Sequence, residues 1–78
     1  MLSTDQVMDR YFLDTRCMLI EIGAMLDRLD RAAEDKGAEP PGYQARLEKI
    51  HEALSLLARQ DTTADRSERL LRLFSDLD

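Results

Sequence analysis

One cysteine, one histidine, no tryptophan and only four other aromatic residues occur in the 78 residues of this chain. A lone Cys17 excludes an intrachain disulfide, and with it any cysteine-built zinc site. Glycine and proline are also scarce, at three and two residues. All of them except Gly23 fall between Gly37 and Gly42, so almost nothing interrupts helix elsewhere. Long apolar runs are missing too. None approaches the roughly 20 residues of a membrane span, and the run Cys17–Ile20 near the N-terminus ends at Glu21, short of a secretory core. With one free thiol and no export signal, the expected compartment is the cytoplasm. The catalytic vocabulary is absent: no glycine-rich phosphate loop, no nucleophile elbow, no paired-cysteine spacing and no histidine-rich helix. The expectation is a protein that is not an enzyme and carries no cofactor.

Acidic and periodic apolar residues are what the chain does have. Sixteen Asp and Glu against eleven Lys and Arg give a net charge of −5. Such a chain is repelled by nucleic-acid phosphates and by anionic membranes, so neither is an expected partner. Hydrophobic residues make up 44%, too many and too regularly spaced for a disordered segment. The length allows one domain, residues 1–78, whose core is marginal by itself. Without disulfides, regular helix packing and oligomerisation are the remaining ways to stabilise it.

The spacing predicts three helices. The first runs over about residues 4–36. Ser3 is its N-cap, Gln6 completes a capping box, and Leu2 with Val7 forms a hydrophobic staple. Asp5 suits the positive end of the helix dipole, and Lys36-Gly37 is the stop. Gly37 to Gly42 is a loop short enough to turn the next helix back antiparallel. Tyr43, Leu47, Ile50, Leu54 and Leu57 step by four, three, four and three, which defines a second helix over about 42–59. Gln60 to Thr63 is a polar break with three possible N-caps, Asp61, Thr62 and Thr63. A third helix over about 63–76 presents Leu70, Leu73, Phe74 and Leu77, with Leu71 on its flank. The fold class is all-α: a long N-terminal helix with two shorter helices packed antiparallel on it as a three-helix unit, completed as a homodimeric helical bundle.

The dimer follows from the first helix, which carries two apolar stripes. Val7, Tyr11, Met18, Ile22, Met25, Leu29 and Ala33 form a wide one, with Met8, Leu19 and Leu26 on its shoulder. Leu13, Cys17, Ile20 and Ala24 form a second, on roughly the opposite side at about 100° per residue. A helix apolar on both sides needs cover on both. The second and third helices are expected on the wide face, and a second copy on Leu13, Cys17, Ile20 and Ala24. Small residues at 17, 23 and 24 let two backbones approach. Gly23 otherwise costs about 1 kcal/mol relative to alanine.

Few residues suggest chemistry. Glu48 and His51, three apart on one helix, match half the ligand set of di-iron carboxylate bundles, with Asp14 and Glu21 as acidic partners. Against this, His51 points roughly 80° and Glu48 roughly 140° from the centre of the apolar stripe. Only a homodimer would duplicate the motif. Arg10, Tyr11 and Asp14 lie close together, with Asp14 in reach of Arg10 for an ion pair; Glu21 and Arg28 continue that edge at seven-residue steps. The preferred reading is a polar rim that sets helix register rather than an acid–base site. Asp27 and Arg31 form an expected i,i+4 pair worth about 0.3 kcal/mol. Arg59, Arg66, Arg69 and Arg72 are offset by Asp61, Asp65 and Glu68, too nearly balanced for phosphate binding, so they are read as partners for the acidic excess. Cys17 is read as a small interface residue, since no histidine lies near it.

Three functions are therefore weighed. The first is a non-enzymatic homodimeric module that binds another protein. The second is a metal- or ligand-binding bundle in which Glu48, His51, Asp14 and Glu21 meet across the dimer. The third is an acidic regulator that occupies a basic surface, which salt would weaken.

Overall fold

The structure is a computed structural model, and it describes residues 1–34, 40–61 and 63–75. It is all-α, with helices α1 (Thr4–Glu34), α2 (Tyr43–Ala58) and α3 (Arg66–Ser75) and no strand among the described residues. The three expected helices are present in the expected order. The expected stop at Lys36-Gly37, the cap candidate Thr62 and the apolar Leu77 lie outside the described residues. The chain divides into two compact units, Met1–Gly37 and Ala38–Asp78.

α1 begins as its sequence dictates. The Ser3 backbone N–H donates to Gln6 Oε1 at 2.9 Å, and the Gln6 backbone N–H donates to Ser3 Oγ at 3.2 Å. This reciprocal pair satisfies two backbone donors that the first turn would otherwise leave open. The first helical bond, Val7 N–H to the Ser3 carbonyl, follows at 3.0 Å. Asp5 in the first turn and Arg31 in the last both complement the dipole. No residue of α1 is buried.

α2 begins differently, with no side-chain cap. Gly42 has φ 80° and ψ 0°, and the Tyr43 N–H donates to the Pro40 carbonyl at 3.1 Å. These are the marks of a type II turn, with Pro41 supplying its fixed φ at the second position and glycine the left-handed third. The Arg46 N–H then reaches the Gly42 carbonyl at 3.0 Å, and the helix is under way. The two prolines and the glycine are thus a helix-starting device as well as a loop. At the far end Arg59 is extended, and its N–H turns back to the Leu56 carbonyl at 3.4 Å.

α3 starts later than the sequence spacing suggests, and its cap is none of the three candidates. The Arg69 N–H donates to the Asp65 carbonyl at 3.1 Å, which makes Asp65 the capping residue. The Asp65 N–H in turn reaches the Thr63 carbonyl at 2.7 Å. Thr63 therefore belongs to the turn before the cap rather than to the helix.

α2 and α3 pack against one another. Tyr43, Leu47, Ile50 and Leu54 of the expected stripe are half-buried, whereas Leu57 stays exposed. Ala53, which lies outside that stripe, is the one buried residue among the described residues, at 8% exposure. Lys49 and Leu56, at helical spacing from Ala53, are half-buried as well. The covered side of α2 is thus rotated toward Ala53, away from His51 and Glu48, which are both exposed. From α3, Leu70 and Leu73 are half-buried, while Leu71 is 74% exposed.

Candidate interaction surface

Three of the four residues expected at the seam are open to solvent. Leu13 is 65% and Ile20 56% exposed, Cys17 is exposed, and Ala24 is half-buried. Water against such side chains is unfavourable by roughly 25 cal/mol for each Å² of apolar surface, so a row of them favours a partner. An added Cβ on Gly23 would meet nothing within 4 Å. Among the described residues no contact demands a glycine there.

The wide stripe is exposed over its N-terminal part as well. Val7, Met8, Tyr11, Met18, Leu19 and Met25 are all open, and only Ile22, Leu26 and Leu29 are half-buried. Phe12, which belongs to neither stripe, is 59% exposed. It lies about 120° from Met18 around the helix and extends the wide face beyond Met8. Grouping residues by strict three-four steps misses it; the signal that finds it is its recurrence seven residues before Leu19 and fourteen before Leu26. Leu2, Val7, Met8, Tyr11 and Phe12 line one apolar concavity at the start of α1, edged by Thr4 and Thr15. Leu2 and Val7, the expected staple pair, therefore share one surface.

The polar rim is arranged differently from expectation. The Arg10 guanidinium sits over the Tyr11 ring, 6.0 Å from its centroid, a cation–π contact rather than an ion pair with Asp14. Asp27 and Arg31 do not pair either: the ion pairs among the described residues are Arg59–Asp61, Arg69–Asp65 and Arg72–Glu68. At exposed sites the entropy of fixing two long side chains rivals their attraction, so the absence of an i,i+4 pair carries little energetic cost.

The arginines of the C-terminal segment pair close to home. Arg59 Nε donates to Asp61 Oδ1 at 3.3 Å, and Arg69 Nε to Asp65 Oδ2 at 2.9 Å. Arg72 bonds Glu68 one turn earlier, and Arg66 reaches back to the Arg59 carbonyl. The hydrogen bond from Arg69 holds the Asp65 carboxyl below the usual range, and the one from Arg59 does the same for Asp61. These arginines are used to fasten α3 and the turn before it, as partners for the local acids.

Asp14, Glu21, Glu48 and His51 are exposed. Among the described residues no group of three or more His, Cys, Asp or Glu is placed to hold a metal ion. No helix of the described residues is long and apolar enough to cross a membrane. Comparison of the chain with protein-family models, curated proteins and solved structures finds no match.

Proposed function

We propose that this chain is a non-enzymatic helical interaction module that pairs with a second copy through Leu13, Cys17, Ile20 and Ala24 of α1. The observation that supports the reading is the exposure of Leu13 and Ile20 on a helix with no buried residue. A helix of 31 residues is long enough to stay helical in part by itself, but its apolar rows gain stability only when covered. The module's role is to present helix surfaces to another protein, with the acidic balance keeping the assembly soluble.

The solution mass from light scattering tests this, measured on the wild type and on Ile20→Asp. The expected result is an assembly of wild-type chains whose mass falls by half or more in the variant. A wild type that stays a single chain at high micromolar concentration overturns the pairing. Metal measured at one ion per chain or per pair in purified protein would instead favour the bundle using Glu48, His51, Asp14 and Glu21.

A further inference from the structure

We infer that the wide face of α1 is a second self-association surface, on which α1 of another copy lies antiparallel. This rests on the reading of α1 as an interaction helix. It does not rest on the Leu13–Ala24 seam, which occupies roughly the opposite side of the helix.

The register of the face carries the argument. Met8, Tyr11, Thr15, Met18, Ile22 and Met25 alternate steps of three and four without a break. That seven-residue repeat keeps one line of side chains facing a partner helix along its length. Met8, Tyr11, Met18 and Met25 on this line are each at least half exposed. Two further rows flank it at seven-residue steps. Asp14, Glu21 and Arg28 run along one side, and Phe12, Leu19 and Leu26 along the other. Asp14, Glu21 and Arg28 are exposed, and none takes part in an ion pair among the described residues.

The unlike flanks select the direction of the second copy. In a parallel pair the charged flank of one helix lies against the apolar flank of the other. Asp14 would face Leu19 and Glu21 would face Leu26, stripping water from carboxylates without giving them a partner. In an antiparallel pair like flanks meet. Asp14 then faces Arg28 of the second copy and Arg28 faces its Asp14, two ion pairs related by the two-fold axis, while Phe12 meets Leu26 of the second copy on the other side. The central line closes in the same register: Met18 lies opposite Ile22, Thr15 opposite Met25 and Tyr11 opposite Leu29. Leu29 of the second copy thereby reaches the concavity that Met8, Tyr11 and Phe12 line. Glu21 meets its own counterpart near the axis, which opposes two favourable pairs with one unfavourable one.

Cross-linking between single cysteines tests the register. In a Cys17→Ser background, chains carrying Asp14→Cys and chains carrying Arg28→Cys are mixed and treated with a short bis-maleimide. Within one helix these positions are about 21 Å apart at 1.5 Å per residue, so a short linker joins them only between copies. The expected result is efficient cross-linking in the mixture and at least tenfold less for either chain alone. Efficient self-cross-linking of the Asp14→Cys chain overturns the antiparallel arrangement. No cross-linking in any combination, with helical circular dichroism retained, overturns the surface itself. Charge reversal is the second arm: Asp14→Arg weakens the association several-fold, and adding Arg28→Asp restores it; failure of the double variant to recover counts against the pairing. The Ile20→Asp chain separates the two proposals. If the cross-link persists in that background with an unchanged mass, the Leu13–Ala24 seam falls and this surface stands. If the cross-link is absent while Ile20→Asp still lowers the mass, the reverse holds.

Discussion

α1 has 31 residues and buries none of them, whereas α2 and α3, with 16 and 10, pack together and bury Ala53. Both regions are rich in apolar side chains at helical spacing. The difference begins with the link inside the second unit. α2 and α3 are joined by a short polar link whose local bonds fasten both ends of the turn: Arg66 to the Arg59 carbonyl, Arg59 to Asp61, Arg69 to Asp65. Closing so short a loop costs little entropy, so the contact between two half-stripes is favourable even for helices of this length. α1 has a strong start and great length, and it holds its apolar rows in register without covering them. A long amphipathic helix supplies a surface; a tightly linked pair supplies a small core.

The sharpest way to break that contrast is to change volume where it is confined. Ala53→Leu should destabilise the α2–α3 unit by about 1–3 kcal/mol, since extra methylenes in a covered site force side chains and backbone apart. Asp30→Leu, at an exposed position of α1 on neither apolar stripe, should fall within about 0.5 kcal/mol of wild type. Urea unfolding followed by circular dichroism reads both. Equal effects at the two sites would mean that α1 is covered in solution as firmly as α2.

The two glycines should respond with opposite signs. Gly42 holds φ 80° at the turn before α2, a conformation that costs an L-residue about 1–2 kcal/mol, so Gly42→Ala should lower stability by that order. Gly23 sits mid-helix with open space where its Cβ would be, so Gly23→Ala should raise helix stability by up to about 1 kcal/mol. Thermal unfolding distinguishes them. A Gly23→Ala chain that gains helix but loses solution mass would show that two backbones approach at Gly23, sharpening the case for the seam.

Ser3→Ala should cost about 1 kcal/mol of local helix stability by removing one half of the capping box. Because α1 frays from its ends, the effect belongs in hydrogen exchange of the first turn rather than in the unfolding of α2 and α3.

How far each feature was legible follows from its range in sequence. The capping box is local: Ser3 and Gln6 are three residues apart, and no tertiary context is needed to recognise them. The stripe Tyr43, Leu47, Ile50 and Leu54 is likewise periodic and appears half-buried as expected. Ala53 was not legible, because an alanine off the stripe is buried only when a neighbouring element comes close, and spacing within one helix says nothing of the neighbour. The start of α3 lies three residues beyond the expected one, at Arg66 rather than about residue 63, because Asp61, Thr62, Thr63 and Asp65, with only Ala64 between, all qualify as caps. The choice falls to Asp65, the one whose carboxylate is also met by Arg69 one turn on. Pro40-Pro41-Gly42 was legible as a break but not as the start of α2, since its role depends on a backbone bond from Tyr43 to Pro40 that composition does not reveal. The exposed faces of α1 were legible as stripes; which copy or partner covers each is a property of the assembly, and the proposed register of Asp14 against Arg28 is where that can be read out.

The smallest expected effect concerns acid, and it separates the two units by chemistry rather than by packing. The Asp65 carboxyl is held below its usual range by the hydrogen bond from Arg69, opposed by partial loss of water around it. A depressed carboxylate contributes stability that is present above the ordinary aspartate value of about 3.9 and is lost as pH falls through the lowered value. Acidification below about pH 4 should therefore loosen α3 and its cap, with Asp61 and its bond to Arg59 adding in the same direction. Both groups are reached by solvent, so the change is modest and is screened by salt. Asp65→Asn keeps an oxygen that can accept from Arg69 but cannot titrate, and should flatten the acid limb of the α3 signal while leaving the first turn of α1 unaltered, where the partners of the cap are Ser3 and Gln6 and carry no charge. Residue-specific NMR of the α3 amides through the acid range is the readout. If the acid limb of the Asp65→Asn chain matches that of wild type, α3 is not fastened by this carboxylate, and the contact with α2 must hold it instead.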